Sequence, residues 1–235
     1  MPAMSWPDDV VERLQPAAAA PDLSAPVLVG VVVLAVAVAL LAPVWSVVRI
    51  GVTLVHELGH AFVGVLCGRR FTGFVLRGDM SGHAVTVGRS SGPGRILTTW
   101  AGYPMPGLVA VGLIGAAAVG WAAPLLAATL VLLLAAVLRV RSLLTAVVVV
   151  GVLAAVVALW WVGSDAVQAQ VLVAAGLLLL VGGWRHVAAV VSRPDTGSDP
   201  AVLKRLTGIP VVGWNLSFAL ALAASTYASW RIVTG

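Results

Sequence analysis

The chain has 235 residues, of which 60% are hydrophobic and only 10% are charged. Soluble domains carry about 25% charged residues, so this composition excludes an ordinary soluble globular protein. The formal net charge is +5, but the basic residues lie between apolar runs and form no aromatic-rich polar patch, so no nucleic-acid partner is expected. The single cysteine, Cys67, excludes an intrachain disulfide and a cysteine-based zinc site.

Apolar runs follow one another along most of the chain. Residues 1–24 are acidic and are predicted to form a cytoplasmic N-terminal tail without the basic start of a secretory signal. Residues 25–235 are predicted to form a single membrane-embedded domain, because several runs approach the ~20 residues that a helix needs to cross about 30 Å of hydrocarbon. We predict transmembrane helices at residues 26–47, 50–68, 96–119, 121–138, 142–161, 166–183 and 211–230.

Two segments between these spans are more than turns. Residues 71–87 are predicted to form a membrane-associated β-hairpin, because an apolar, β-prone stretch is followed by a turn at Gly78-Asp79-Met80-Ser81-Gly82. Residues 184–210 are predicted to form a cytoplasmic loop with a short helix that begins at Ser198-Asp199-Pro200. A tight connection near Gly120 predicts a helical hairpin. The fold class is therefore an all-α polytopic membrane protein with about seven transmembrane helices and one small β-hairpin.

The basic residues predict the orientation of these spans. With seven helices and a cytoplasmic N-terminus, all but Arg49 and Arg231 of the fourteen Lys and Arg residues fall on the cytoplasmic side. The positive-inside rule favours this arrangement. We therefore expect a multi-pass protein of the cell (cytoplasmic) membrane with its C-terminus outside.

The second predicted span contains the motif His56-Glu57-Leu58-Gly59-His60. On a helix, His56 and His60 lie about one turn apart on the same face, so both imidazoles can reach one tetrahedral Zn²⁺ while Glu57 lies beside the open position. Ionisable residues at membrane depth are expensive and are rarely present without a use. The alternative is a hydrogen-bonded cluster with a structural role. The motif predicts a zinc site within the membrane.

A catalytic zinc needs a third protein ligand. The candidates are His83, Asp165, His186, Asp195 and Asp199, and the predicted topology removes Asp165 because its loop lies on the external side. Asp199 begins the predicted short helix, where the role of an N-cap and that of a ligand are equally compatible with the spacing. Asp195 is either a second candidate ligand or a turn residue. His83 and His186 are either ligands or interfacial residues.

These motifs resemble those of the site-2 protease family of intramembrane zinc metalloproteases, specifically its compact bacterial branch without a PDZ domain. The resemblance implies one zinc ion per chain, held by His56, His60 and Asp199, with Glu57 as the general base. Better-known members carry their aspartate in an Asp-Gly context, whereas Asp199 is followed by proline. The segments that carry the resemblance are HELGH at 56–60, Gly82-His83-Ala84-Val85-Thr86, Ala101-Gly102-Tyr103-Pro104, and Ser198-Asp199-Pro200-Ala201 running to Leu206-Thr207-Gly208-Ile209-Pro210.

The activity that the resemblance implies is hydrolysis of peptide bonds in transmembrane protein substrates, with the lipid bilayer as the surroundings. His83 and Asn215 are candidate substrate-binding residues, although Asn215 equally suits a hydrogen bond between helices. The hairpin either pairs with an unwound substrate strand or plugs the cleft. Two other classes remain open. One is a non-proteolytic homologue with a binding or regulatory role, and the other is a metal transporter, which the lack of ionisable residues in several spans disfavours. The sequence leaves the oligomeric state and the substrate open.

Overall fold

The computed structural model describes residues 10–19, 21, 23–78 and 81–234. Residues 1–9, 20 and 22 of the predicted tail, Asp79 and Met80 of the predicted turn, and Gly235 lie outside the described residues. Two strands, β1 (Arg70–Leu76) and β2 (Gly82–Val87), follow the second helix. The helices are α1 (Ala25–Leu40), α2 (Ala42–Leu66), α3 (Pro93–Trp100), α4 (Met105–Ala118), α5 (Ala122–Val137), α6 (Leu143–Val162), α7 (Asp165–Ser192), α8 (Asp199–Thr207) and α9 (Val211–Thr234).

Three of these helices, α6, α7 and α9, are long and apolar enough to cross a membrane. Two further spans result if each bent pair counts as one: α1 with α2, which meet at 99°, and α3 with α4, which meet at 66°. Helix α5 is apolar but has only 16 residues. The described part of the chain is therefore a mostly helical membrane protein with three to five candidate spans, and the predicted number of seven is not confirmed.

Prolines explain where the helices differ from the predicted spans. The predicted span 26–47 includes Pro43, and proline fits the first turn of a helix but not its interior. Accordingly, α1 ends at Leu40 and α2 begins at Ala42, with Pro43 in its first turn. Helix α2 then continues through residues 48 and 49, which the sequence predicts as a connection. In the same way, the predicted span 96–119 is divided into α3 and α4 before Pro106.

The segment after the predicted span 166–183 also differs. Helix α7 extends to Ser192, so residues 184–192 are helical and only a short connection precedes α8. The prediction that residues 184–192 belong to a loop is therefore wrong, because the apolar pattern of the helix continues past Arg185. The charge of Arg185 is accommodated by an aromatic partner: its guanidinium lies over the Trp45 ring, 4.1 Å from the ring centroid. The short helix predicted at the end of the 184–210 segment is present as α8.

The predicted β-hairpin is confirmed. Strands β1 and β2 pair antiparallel, from Arg70 opposite Val87 to Leu76 opposite Gly82. Residues 139–141 cover the outer edge of β1, because the Phe74 N–H donates to the Arg139 carbonyl at 3.1 Å and the Arg141 N–H donates to the Phe74 carbonyl at 3.2 Å. The outer edge of β2 pairs with no further strand in the part of the chain that the structure describes.

Helix α2, which carries the His56–His60 motif, is surrounded by several other elements. It packs against both strands, α3, α4 and α7, while α9 packs on α4 and α7. Its Leu54 is buried in one cluster with Phe74 and Leu76 of β1. Burial of these apolar side chains fixes the hairpin on the face of α2 that also carries Glu57. The connection between α4 and α5 turns at Gly120 (φ 77) and forms the predicted helical hairpin.

Candidate metal centre

Helix α2 presents His56 and His60 on one face, and α8 brings Asp199 to them. Asp199 Oδ2 lies 3.3 Å from His56 Nε2 and 3.2 Å from His60 Nε2. The two Nε2 atoms are 3.2 Å apart. Ligands about 2.0–2.1 Å from a tetrahedral zinc ion lie about 3.3 Å from one another. The three atoms therefore have the spacing of three ligands of a single tetrahedral metal ion, and this group could hold one.

The packing of α8 turns Asp199 towards the histidines. Asp199 and Leu203 are four residues apart and share a helix face. Leu203 is fully buried in a cluster with Val187 of α7 and Phe218 of α9. Ser198 occupies the N-cap position of α8, without a capping hydrogen bond from its side chain. The carboxylate of Asp199 is therefore directed at His56 and His60.

The hydrogen bond of His60 defines which of its nitrogens is free. His60 Nδ1 lies 2.7 Å from the carbonyl oxygen of Thr98. A carbonyl only accepts, so Nδ1 carries the proton and the neutral ring presents a lone pair at Nε2. That lone pair faces Asp199 Oδ2, which is also an acceptor. Two acceptors at this distance require a proton or a cation between them, and a metal ion meets that requirement.

Aromatic contacts hold the His56 ring. Its centroid is 4.9 Å from that of Tyr103 and 5.9 Å from that of His186, both in edge-on arrangements. Tyr103 in turn stacks on Phe218 of α9 at 4.6 Å. His56 Nδ1 is buried and has no hydrogen-bond partner in the described part of the chain. The plane of this imidazole is therefore fixed by neighbouring rings, which leave its Nε2 directed at the carboxylate.

Two glycines allow the backbone to approach these side chains closely. A Cβ on Gly102, in the turn between α3 and α4, would lie 2.5 Å from His60 Nε2 and 2.6 Å from His56 Nε2. A Cβ on Gly82, the first residue of β2, would lie 2.5 Å from Glu57 Oε1. Carbon atoms in ordinary contact are about 3.5–4.0 Å from their neighbours, so a larger residue at either position would displace the site. The turn and the hairpin are two walls of the site.

The two acids of the site have different surroundings. Glu57 is only 4% exposed and lies beneath the start of β2. Burial raises the pKa of the Asp199 carboxyl, but the positive charge of His60 and His56, when a proton rather than a metal ion lies between them and Asp199, outweighs this effect and holds the pKa below its usual range. Asp199 is therefore a carboxylate, the form that binds a cation.

The other candidate residues from the sequence lie outside this group. Asp195 is exposed in the turn before α8, where its carboxylate accepts a hydrogen bond from the N–H two residues further on. His83 is exposed on β2. Asp165 begins α7, about 30 Å along that helix from His186, and His186 is near the His56 ring but not in the metal group. Asn215 lies in α9, and its Oδ1 is buried without a hydrogen-bond partner in the described residues.

Sequence reasoning missed two contributors, the Thr98 carbonyl and the Tyr103 ring. Both belong to the bent pair α3–α4, where residues 101–104 form a turn. The available signal is the Gly102-Tyr103-Pro104 sequence within an apolar run, because glycine and proline mark a break in a helix. A break at membrane depth frees backbone carbonyls, which are then available to neighbouring side chains.

These features define the class of the protein: a helical membrane protein with a partly buried His–His–Asp group, beside a glutamate, that could hold a metal ion as in metallohydrolases. The family model described as Peptidase M50B-like matches residues 29–229. The chain therefore belongs to the peptidase M50B-like family, and the resemblance to site-2 proteases is confirmed. No curated protein and no solved structure matches the chain.

Proposed function

We propose that the protein is an intramembrane zinc metalloendopeptidase that hydrolyses peptide bonds of transmembrane protein substrates. The observation that carries this proposal is the triangle of His56 Nε2, His60 Nε2 and Asp199 Oδ2, with sides of 3.2–3.3 Å. Family membership supports the same activity. Zinc bound by these residues supplies Lewis-acid activation of water and of the scissile carbonyl.

Glu57 is the proposed general base. It follows His56 on α2, and its carboxyl group lies against Gly82 at the start of β2. In this role, Glu57 accepts a proton from the attacking water and returns it to the leaving amine nitrogen as the peptide bond breaks. Its burial keeps bulk water from competing for the carboxylate.

The free edge of β2 supports a binding mode for the substrate. Residues 139–141 occupy the outer edge of β1, so a substrate strand would add to the described sheet beside β2. Gly82 at the start of β2 touches Glu57, and a strand paired with β2 would therefore pass the proposed base. Backbone pairing would also hold the substrate unwound, which hydrolysis requires because a helix engages its own peptide groups in hydrogen bonds. His83 on the same strand and Asn215 stay candidate substrate contacts.

The proposed orientation in the membrane determines from which side water reaches the metal site. The orientation proposed from the seven-span arrangement is a cytoplasmic N-terminus and an external C-terminus. Under this orientation, water would reach the metal site from the cytoplasmic side, between the hairpin and α8. Water access is needed because hydrolysis consumes one water molecule for each peptide bond.

Metal binding and hydrolysis can be tested separately. Purified protein should contain about one zinc ion per chain by mass spectrometry of the metal, and the His56→Ala/His60→Ala double variant should lose it. Glu57→Gln should keep the zinc and abolish cleavage, detected as membrane-protein fragments that accumulate only in cells expressing the wild type. Glu12→Gln, which changes the other glutamate of the chain at an exposed position, is the matched control and should cleave normally. Equal fragments from Glu57→Gln and wild type would refute the assigned base.

A further inference from the structure

A second polar site lies where α2 ends and α3 begins. A cavity of about 320 Å³ is formed by the residues after α2, the residues after β2 and the first turn of α3. Three of the side chains that line it are arginines, Arg69, Arg89 and Arg95. The described lining contains no Asp or Glu. The cavity therefore concentrates positive charge and lacks an acidic partner from the protein.

Arg69 is the fixed member of this cluster. It is only 8% exposed. Its Nε donates to Thr86 Oγ1 at 3.1 Å, its Nη1 to the Arg89 carbonyl at 2.7 Å and its Nη2 to the Thr86 carbonyl at 3.2 Å. Burial and the neighbouring Arg95 lower the pKa of Arg69. Like charges held this close favour a bound anion, which removes their mutual repulsion.

Helix α3 adds to the positive potential. It begins at Pro93, which has no N–H, and no side chain caps it. The Arg95 N–H donates to the Gly92 carbonyl at 3.1 Å, so Gly94 supplies the amide that the first turn can offer to a ligand. Unpaired N–H groups at a helix N-terminus carry partial positive charge and are suited to binding phosphate. Arg95, in this first turn, also lines the cavity. Several guanidinium groups and one helix amide together favour a phosphate over a carboxylate-sized or uncharged ligand, because phosphate offers oxygens to several donors at once.

The surface beside the cavity is apolar. Leu66 at the end of α2, Val87 at the end of β2 and Leu97 in α3 are all exposed. In a membrane, exposed leucine and valine side chains next to a predicted span face lipid acyl chains. A phosphate group above an acyl-chain surface is the arrangement of a phospholipid headgroup.

We propose that this cavity binds a phosphate group, presented by the headgroup of an anionic phospholipid. Arg89 and Arg95 contact the phosphate oxygens, and Arg69 holds the loop in place through the Arg89 carbonyl. The site lies at the C-terminal end of α2, and Arg49 lies towards the other end. The predicted topology puts the C-terminal end of α2 on the cytoplasmic side of the membrane, where most of the basic residues are expected.

The single cysteine of the chain provides the test, because Cys67 lines the same cavity. The alkylation rate of Cys67 by N-ethylmaleimide is measured on the full chain in lipid nanodiscs. One set contains phosphatidylcholine only, a second also contains phosphatidylglycerol, and a third contains phosphatidylcholine with added inorganic phosphate. We expect phosphatidylglycerol to slow the reaction about fivefold or more, whereas inorganic phosphate leaves the rate unchanged.

Two double variants distinguish the site from a general effect of a negative membrane. Arg89→Gln/Arg95→Gln should lose the additional protection and weaken phosphatidylglycerol binding by roughly 25-fold, about fivefold for each arginine. Arg77→Gln/Arg193→Gln removes the same amount of charge from exposed positions, and in this variant phosphatidylglycerol should still protect Cys67. The number of phosphatidylglycerol molecules retained in native mass spectrometry provides a second measurement for the same variants.

Each outcome bears on the proposal. Protection of wild type and of Arg77→Gln/Arg193→Gln, together with loss in Arg89→Gln/Arg95→Gln, supports it. Equal protection by inorganic phosphate would show that the cavity takes free phosphate, and would overturn the assignment to a lipid. No protection of the wild type, or equal protection of all variants, would overturn the site itself. The assay requires no proteolysis, so it stands apart from the proposed enzymatic activity.

Discussion

Replacement of Gly102 with alanine tests the geometry of the metal centre with a single methyl group. The added Cβ would lie 2.5 Å from both Nε2 and Cε1 of His60 and 2.6 Å from His56 Nε2. The same two nitrogens would hold a zinc ion at about 2.0–2.1 Å, so the methyl group would press directly on two of the atoms that bind the ion. To restore a contact of about 3.5 Å, the rings would have to move by about 1 Å. Loss of a supporting residue typically weakens metal binding by about 10–100-fold. Since Gly102→Ala displaces two ligands, we expect about 100-fold or more.

The assay is a competition between the solubilised protein and a chromophoric chelator for zinc, combined with thermal unfolding of the metal-free protein. Overpacking should also lower the free energy of unfolding by about 1–3 kcal/mol. Gly112→Ala is the matched control, because a Cβ on Gly112 in α4 has no neighbour within 4 Å. This control should bind zinc normally and gain up to about 1 kcal/mol from the better helix propensity of alanine. If Gly102→Ala binds zinc as tightly as Gly112→Ala, the turn does not approach the histidines as described.

Gly82→Ala would place a Cβ 2.5 Å from Glu57 Oε1 and should reduce substrate cleavage by about 100-fold while the zinc content stays normal, because a base displaced by about 1 Å loses its alignment. Loss of zinc in parallel would contradict separate roles for the hairpin and the metal ligands. Thr145 is fully buried, and its Oγ1 accepts a hydrogen bond from the Leu76 N–H at 2.8 Å. Thr145→Val should therefore lower the free energy of unfolding in a denaturant titration by about 1–3 kcal/mol. The control is Thr129→Val, which removes a hydroxyl that donates to a carbonyl of its own helix. This variant should lower the free energy of unfolding by less than about 1 kcal/mol. Equal effects of the two variants would contradict the hydrogen bond between Thr145 and β1.

The sequence predicts the part of the metal centre that is local. His56 and His60 share a face of α2 because the helical repeat requires it. Asp199 is distant in the chain, and its spacing suits an N-cap as well as a ligand. The structure places Ser198 at the N-cap and turns Asp199 inward through the burial of Leu203. That choice depends on the packing of α8 against α3 and α9, which no local pattern encodes.

The number of spans is less predictable than the presence of a membrane domain. Hydropathy measures apolar length, but it does not report the direction of a helix. Pro43 is a local signal for a break, whereas the 99° angle between α1 and α2 depends on how α1 packs against α7. The hydrogen bond from His60 to the Thr98 carbonyl is similarly hidden, because a backbone oxygen is present at every residue.

The order in which the chain leaves the ribosome has a consequence for maturation. The two histidines emerge on α2, early in synthesis, whereas Asp199 and the Phe218 ring that backs Tyr103 emerge only with the last helices. The three-residue group is therefore complete only when translation is nearly finished, so an ion that needs all three ligands could not guide insertion of the early helices. A chain that stops before α8 carries the HELGH sequence without Asp199, so the proposed cleavage would be confined to the finished protein.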